Sequence, residues 1–230
     1  MSSNARRSRQ RPRSDSQAGF TIVELMIATL VFSVVLLVIT YGVMHFTRSY
    51  YKGINSSNTQ TTAQNAIDTI SQAIQFSQGG TTTADDKHFC AGNKLFLYNE
   101  GTEFTGTPTA TNRGLYVMPA TDNCTDPGTP SGGTELLSKR MRLANVSLAS
   151  DDPTDASQPW SISLRVAYGD ADLLCSPSLN GQSSGGCANS AAYAADATFA
   201  KDDLQCKLQT GSQFCSVAAL STVVQQRIIN

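Results

Sequence analysis

The chain has 230 residues, of which 40% are hydrophobic and 15% are charged, so it can hold one domain or two small ones at roughly 100–200 residues per domain. The charge is unevenly distributed, because five arginines lie before Phe20 and the remainder of the chain is acidic. An acidic body argues against nucleic acid as the main partner, since binding to phosphates requires clustered Lys and Arg.

Residues 1–19 are rich in Arg, Ser and Gln and show no apolar periodicity. They are therefore predicted to be an unstructured leader rather than part of the fold. Arginines this close to a membrane span favour a cytoplasmic location. The candidate processing site precedes the apolar run, so cleavage there would leave the hydrophobic segment on the mature protein.

Residues 25–46 carry no formal charge and are long enough to cross a hydrocarbon core of ~30 Å as a helix. Glu24 is the only charged residue between Asp15 and Arg48. A carboxylate in an apolar helix costs about 3 kcal/mol even on insertion-based scales, so it usually has a partner. One candidate is the amine that cleavage before Phe20 would create, in the same chain or in a neighbouring one. The alternative is a glutamate that reaches the headgroup boundary.

Residues 47–78 are polar but keep a narrow apolar stripe at helical spacing, which predicts an amphipathic extension of the same helix. The stripe consists of Ala63, Ala66, Ile67, Ile70, Ala73, Ile74 and Ser77. A bend or local fraying is expected near Gly53 and residues 55–58.

After Gly79-Gly80 the pattern becomes strand-like, which predicts an α+β fold with a long N-terminal helix packed against an antiparallel β-rich head. The predicted strands are 94–98, 114–118, 141–143, 146–148 and the strictly alternating 160–168. Such alternation predicts one covered sheet face. Residues 176–200 are predicted to form a long loop, and residues 214–228 either a strand or a short helix.

All six cysteines follow the apolar run: Cys90, Cys124, Cys175, Cys187, Cys206 and Cys215. Their even number and their position on one side of the span predict disulfides in an oxidising, extracytoplasmic space. Closure of the shortest loops favours the pairs 90–124, 175–187 and 206–215. The close Cys-x-x-Cys spacing of a zinc site is absent.

The head contains a single histidine, His88, so no Ser/His/Asp or Cys/His catalytic set is predicted and the chain is not expected to be an enzyme. Asp170 and Asp172 could ligate calcium, but no EF-hand pattern surrounds them and solvated loop carboxylates are the simpler interpretation. The sequence therefore predicts neither a metal site nor a cofactor.

The segment from Gly19 to Ala28, Gly-Phe-Thr-Ile-Val-Glu-Leu-Met-Ile-Ala, resembles the processing motif of type IV pilins and pseudopilins. The resemblance implies that a prepilin peptidase cuts after Gly19 and methylates the new amine of Phe20, and that Glu24 is the assembly glutamate. It implies a leader (1–19), a transmembrane and filament-core helix (20–46), an amphipathic extension (47–78) and an extracytoplasmic head (79–230).

The implied partners are the peptidase, other pilin or pseudopilin subunits packed through parallel helices, and an inner-membrane assembly platform. The implied location is the inner membrane with the leader inside, followed by a pilus or the cell surface. A large, cysteine-rich head and an apolar helix without proline resemble minor pilins of the PilW or J-type class more than major subunits. The alternative is a membrane-anchored extracytoplasmic binding module or enzyme that uses residues 20–46 only as an anchor.

Overall fold

The structure is a computed structural model that describes residues 19–77, 87–120, 124–150, 152, 158–175, 204–208 and 211–227. The chain divides into two compact units, one ending at Phe46 and the other beginning at Thr47. The first contains the apolar part of the long helix. The second contains the remainder of that helix and all the strands.

Helix α1 runs from Ile22 to Gln75 without interruption. The local fraying expected near Gly53 is therefore absent. Two side-chain hydrogen bonds support the helix there: the Thr59 hydroxyl donates to the Asn55 carbonyl oxygen at 2.7 Å, and the Asn55 amide donates to the Gln213 carbonyl oxygen at 3.0 Å. The helix ends three residues earlier than predicted, where the Ser77 hydroxyl donates to the carbonyl oxygen of Ile74 at 2.7 Å.

The first sheet has four antiparallel strands in the order β1-β2-β3-β4. They span His88–Ala91, Lys94–Tyr98, Leu115–Pro119 and Thr134–Glu135. The predicted strand 94–98 is confirmed with the same bounds, and the predicted strand 114–118 is shifted by one residue.

The second sheet has three antiparallel strands in the order β5-β6-β9. They span Met141–Ala149, Pro159–Tyr168 and Ser216–Gln225. The two short runs predicted at 141–148 are one strand, irregular between Leu143 and Asn145. The open choice at 214–228 is resolved, because a 3₁₀ turn at Ser212–Phe214 leads into strand β9. The predicted loop 176–200 lies outside the described residues.

The helix stripe and the facing sides of both sheets form one hydrophobic cluster in the second unit. All seven predicted stripe residues are buried, and Trp160, Ile162, Leu164 and Val166 of β6 face the same cluster. The alternating residues of β6 thus include one set that faces the hydrophobic cluster, as the sequence predicts.

The opposite faces of the sheets are also covered, which the alternation did not predict. A second cluster on the β1-β2-β3 sheet includes Cys90, which is disulfide-bonded to Cys124. A third cluster covers part of the β5-β6-β9 sheet with the short strands β7 (Leu174–Cys175) and β8 (Gln205–Cys206). The Cys206–Cys215 disulfide connects β8 to the start of β9. Two of the three predicted pairings are therefore present, and the third involves Cys187, which lies outside the described residues.

Candidate processing and assembly site

The first turn of α1 is organised by Thr21 and Glu24. The Thr21 backbone N–H and hydroxyl each donate to Glu24 Oε2 at 2.9 Å, and the Glu24 N–H donates back to Thr21 Oγ1 at 3.3 Å. This reciprocal pattern is a capping box, in which two residues satisfy donors that the start of a helix leaves without partners. It holds the carboxylate beside the N-terminal end of its own helix.

Gly19 and Phe20 lie immediately before this capped turn, outside the helix, and both are exposed. The Phe20 side chain is 83% exposed. The predicted junction is thus an exposed, non-helical dipeptide followed at once by a rigid helix start. A peptide bond in such a position is accessible to an enzyme without unwinding of the helix.

The apolar part of α1 has no covering among the described residues of its unit, since every residue from Gly19 to Phe46 is exposed. Its length and composition suffice to cross a membrane. The hydroxyls of Thr29, Ser33 and Thr40 donate to backbone carbonyl oxygens three or four residues earlier, at 2.7–3.0 Å. Polar groups satisfied within the helix suit a hydrocarbon environment, which offers no water.

Three predicted site residues, Gly19, Phe20 and Glu24, are therefore within one short segment. Thr21 completes that segment and was missed by the sequence reasoning. The signal was present, because Thr-x-x-Glu directly before an apolar run is the sequence pattern of a capping box. The predicted cysteines belong to the head and have no part in this site.

Two head residues that were considered as a catalytic group or a calcium ligand, His88 and Asp170, contact other protein groups. His88 Nε2 lies 3.1 Å from the Cys124 carbonyl oxygen, to which it can donate. Asp170 Oδ1 accepts from Arg140 at 2.7 Å. Among the described residues there is no cluster of three His, Cys, Asp or Glu side chains that could hold a metal ion.

A polar groove with a volume of about 420 Å³ lies on the head between α1 and the start of β5. Its lining is dominated by amides and hydroxyls with one cation, Lys139. The lining residues are Asn55, Asn58, Thr61, Thr62, Ser138, Lys139, Met141 and Tyr168. Among the described residues, this lining contains no carboxylate, histidine or thiol.

Comparison with protein families matched residues 14–40 to the prokaryotic N-terminal methylation motif. The matched segment includes Gly19, Phe20 and Glu24, together with the apolar helix as far as residue 40. The N-terminal segment thus carries a type IV pilin-like motif, which implies processing by a prepilin peptidase and pilin-type assembly in general. Comparison with curated proteins and with solved structures found no match.

Proposed function

We propose that this chain is a minor subunit of a type IV pilus or a related filament. It is processed after Gly19, methylated on Phe20, held in the membrane by residues 20–46 with the head outside, and then assembled through that helix. Its role is packing and head-to-head contact rather than catalysis.

The observation that carries the proposal is the coincidence of the methylation motif with the geometry of the first turn. The motif covers residues 14–40. Inside it an exposed junction precedes the capped start of α1, and every helix residue as far as residue 40 is exposed. A helix that is apolar around its whole circumference requires lipid or other helices around it. The same segment can therefore serve first as a membrane span and later as part of a filament core.

The head supports a minor rather than a major role through its size and its disulfides. The second unit of the chain, which includes the head, contains three hydrophobic clusters. Two disulfides attach covering segments to the outer sheet faces. Such a head can present a surface that differs from that of the repeating major subunit, at the few positions that a minor subunit occupies.

Mass spectrometry of the mature amino terminus tests the proposal. The protein is purified from its own host and from the same host without prepilin peptidase. We expect the first sample to begin at Phe20 with one added methyl group, and the second to retain residues 1–19. A Gly19→Leu variant should behave like the second sample in either host. Retention of the leader in the normal host would refute the proposal.

The polar groove favours a second candidate, a membrane-anchored binding module, because such a protein needs a pocket in its head. An anchor exchange separates the two. Replacing residues 20–46 with an unrelated single span should abolish recovery of the chain in sheared filaments if it is a subunit. If the chain is a binding module, the exchange should leave its function intact.

A further inference from the structure

Among the described residues, none covers the outer backbone edge of strand β9. It pairs with β6 on one side through ten consecutive residue pairs without a register shift. On its other side, the backbone of residues 218–224 forms no hydrogen bond to another element within the described part of the chain. The strand Ser216–Gln225 contains no charge, proline or glycine.

The other sheet edges of the described head are partly covered or short. The first half of β5 is covered by residues 101–104, where the Gly101 N–H donates to the Leu143 oxygen at 2.7 Å and the Phe104 N–H to the Met141 oxygen at 2.8 Å. The outer strands of the other sheet have only four and two residues. Proteins usually protect long edges with charges, bulges, proline or a covering segment. Edge β9 has neither charge nor proline, and no described segment covers it.

The core is also incompletely closed along this edge. Leu164 and Ile162 of β6 are buried, whereas their partners on β9, Leu220 and Thr222, are only half-buried. An added strand would place side chains next to these two residues and complete their burial. Backbone pairing would supply affinity, and the half-buried positions would supply specificity for alternate apolar side chains.

One cation lies at the end of the edge. The Arg227 guanidinium sits 5.5 Å from the centroid of the Phe76 ring, which is 60% exposed. Within the part of the chain that the structure describes, no carboxylate pairs with Arg227. An occupant that is uncharged along β9 and carries a carboxylate at this end would match the charge of the surface.

Pairing between β9 strands of two copies does not fit a filament. Two copies that pair through the same edge are related by a two-fold axis and form a closed dimer. Subunits that pack their N-terminal helices in parallel are related by translation and rotation along the filament, and such contacts use two different surfaces. This step rests on the proposed function.

We propose that β9 accepts an extended segment of a different subunit of the same filament. The segment pairs with residues 218–224 as an additional strand, alternates apolar residues towards Leu220 and Thr222, and presents a carboxylate to Arg227.

Site-specific photocrosslinking in the native host tests this. A benzoylphenylalanine is placed in the full chain at Val223, which is 67% exposed on β9, or at the exposed Ser161 on the central strand of the same face. We expect one discrete adduct from position 223 in the sheared filament fraction and none from position 161. Mass spectrometry should map the adduct to an extended, uncharged segment of another subunit.

Two proline variants examine the pairing itself. The N–H groups of adjacent residues in a strand point to opposite edges, so one of Ser221→Pro and Thr222→Pro removes a bond to β6 and the other removes an outward donor. The variant that retains the wild-type melting temperature identifies the outward position, and it should lose the adduct at least about tenfold. Arg227→Gln should weaken the adduct by about two- to fivefold, as for an exposed charge pair.

Three results would overturn the inference: an adduct with a second copy of this chain, no adduct from a chain present in the filament fraction, or an adduct that the tolerated proline leaves unchanged. Absence of the chain from sheared filaments is a separate result. It would refute the proposed function. It would also remove the basis for identifying the occupant of β9 as another filament subunit.

Discussion

At the scale of single residues, Glu24 has two possible contributions, since its carboxylate belongs to a capping box with Thr21 and is also expected to neutralise the amine of Phe20. Glu24→Gln separates them, because glutamine serves equally well in a capping box but carries no charge. We expect Glu24→Gln to be cleaved after Gly19 but to enter filaments at least about tenfold less than wild type, since an unpaired charge remains on the neighbouring amine. Immunoblots of sheared filaments and whole cells measure this, with Glu24→Ala as reference. Near-normal incorporation of Glu24→Gln, but not of Glu24→Ala, would show that capping is the required property.

Arg113 is a buried cation held by the head. Its side chain is 2% exposed, and its guanidinium donates two hydrogen bonds of 2.9 and 2.8 Å to Asp126, whose side chain is 24% exposed. The hydrogen bond from Arg113 lowers the pKa of Asp126 below its ordinary value of 3.8. A group with a lowered folded-state pKa stabilises the protein above its ordinary pKa and loses that contribution as the pH falls through the folded value.

Asp126→Asn should therefore destabilise the head by about 3 kcal/mol at pH 7, because a buried cation is left without its counter-ion. The difference from wild type should shrink as the pH falls from about 5 to 2, where the wild-type carboxylate is itself protonated. Urea unfolding of the full chain in detergent, followed by the fluorescence of Trp160, measures this. Asp170→Asn is the control, since its exposed ion pair with Arg140 should contribute under about 1 kcal/mol. Equal losses for both variants would contradict the assignment.

At the scale of elements, the stripe of α1 is packed too closely for larger side chains. Ala63 and Ala66 are fully buried, whereas Asn65 is exposed on the same turns. Ala66→Leu should destabilise the head by about 1–3 kcal/mol through overpacking. Asn65→Leu adds the same side chain on the exposed face and should change the free energy of unfolding by less than about 0.5 kcal/mol. If both substitutions had the same effect, α1 would not pack on the sheets through this stripe.

The helix and strand β6 could be predicted from the sequence because each buries one regular face. The stripe repeats at the helical period and Trp160–Tyr168 alternates at the strand period, so each pattern directly reports its buried side. Strand β9 could not be distinguished from a helix, because its edge position leaves Leu220 and Thr222 half-buried and weakens the alternation.

Other features escaped prediction because they depend on contacts between residues distant in sequence. The second covered face of each sheet arises from segments attached by disulfides. Arg113 looks like a surface residue until Asp126 is brought beside it. Thr21 is different, since its capping box is local and was readable from the sequence.

At the scale of the whole molecule, the two described disulfides differ in the length of chain that they close. Cys90 and Cys124 are 34 residues apart, and Cys206 and Cys215 are 9 apart. On the chain-entropy model the longer loop contributes about 4 kcal/mol and the shorter about 3 kcal/mol. The Cys90→Ser/Cys124→Ser variant should therefore unfold at a lower urea concentration than the Cys206→Ser/Cys215→Ser variant. The reverse order would mean that local packing outweighs loop length.

The division between Phe46 and Thr47 leads to the last prediction. The unit from Thr47 onward contains the whole stripe of α1, both large sheets and both described disulfides, whereas the apolar residues before it have no packing partner within their own unit. A chain of residues 47–230 exported to an oxidising compartment should therefore be soluble and unfold cooperatively, with Trp160 shielded from quencher until the transition. The same chain made under reducing conditions should unfold at a lower urea concentration, because it lacks the disulfides that hold the outer layers. An oxidised chain that aggregates or exposes Trp160 without a transition would show that the head depends on the apolar helix for its folding.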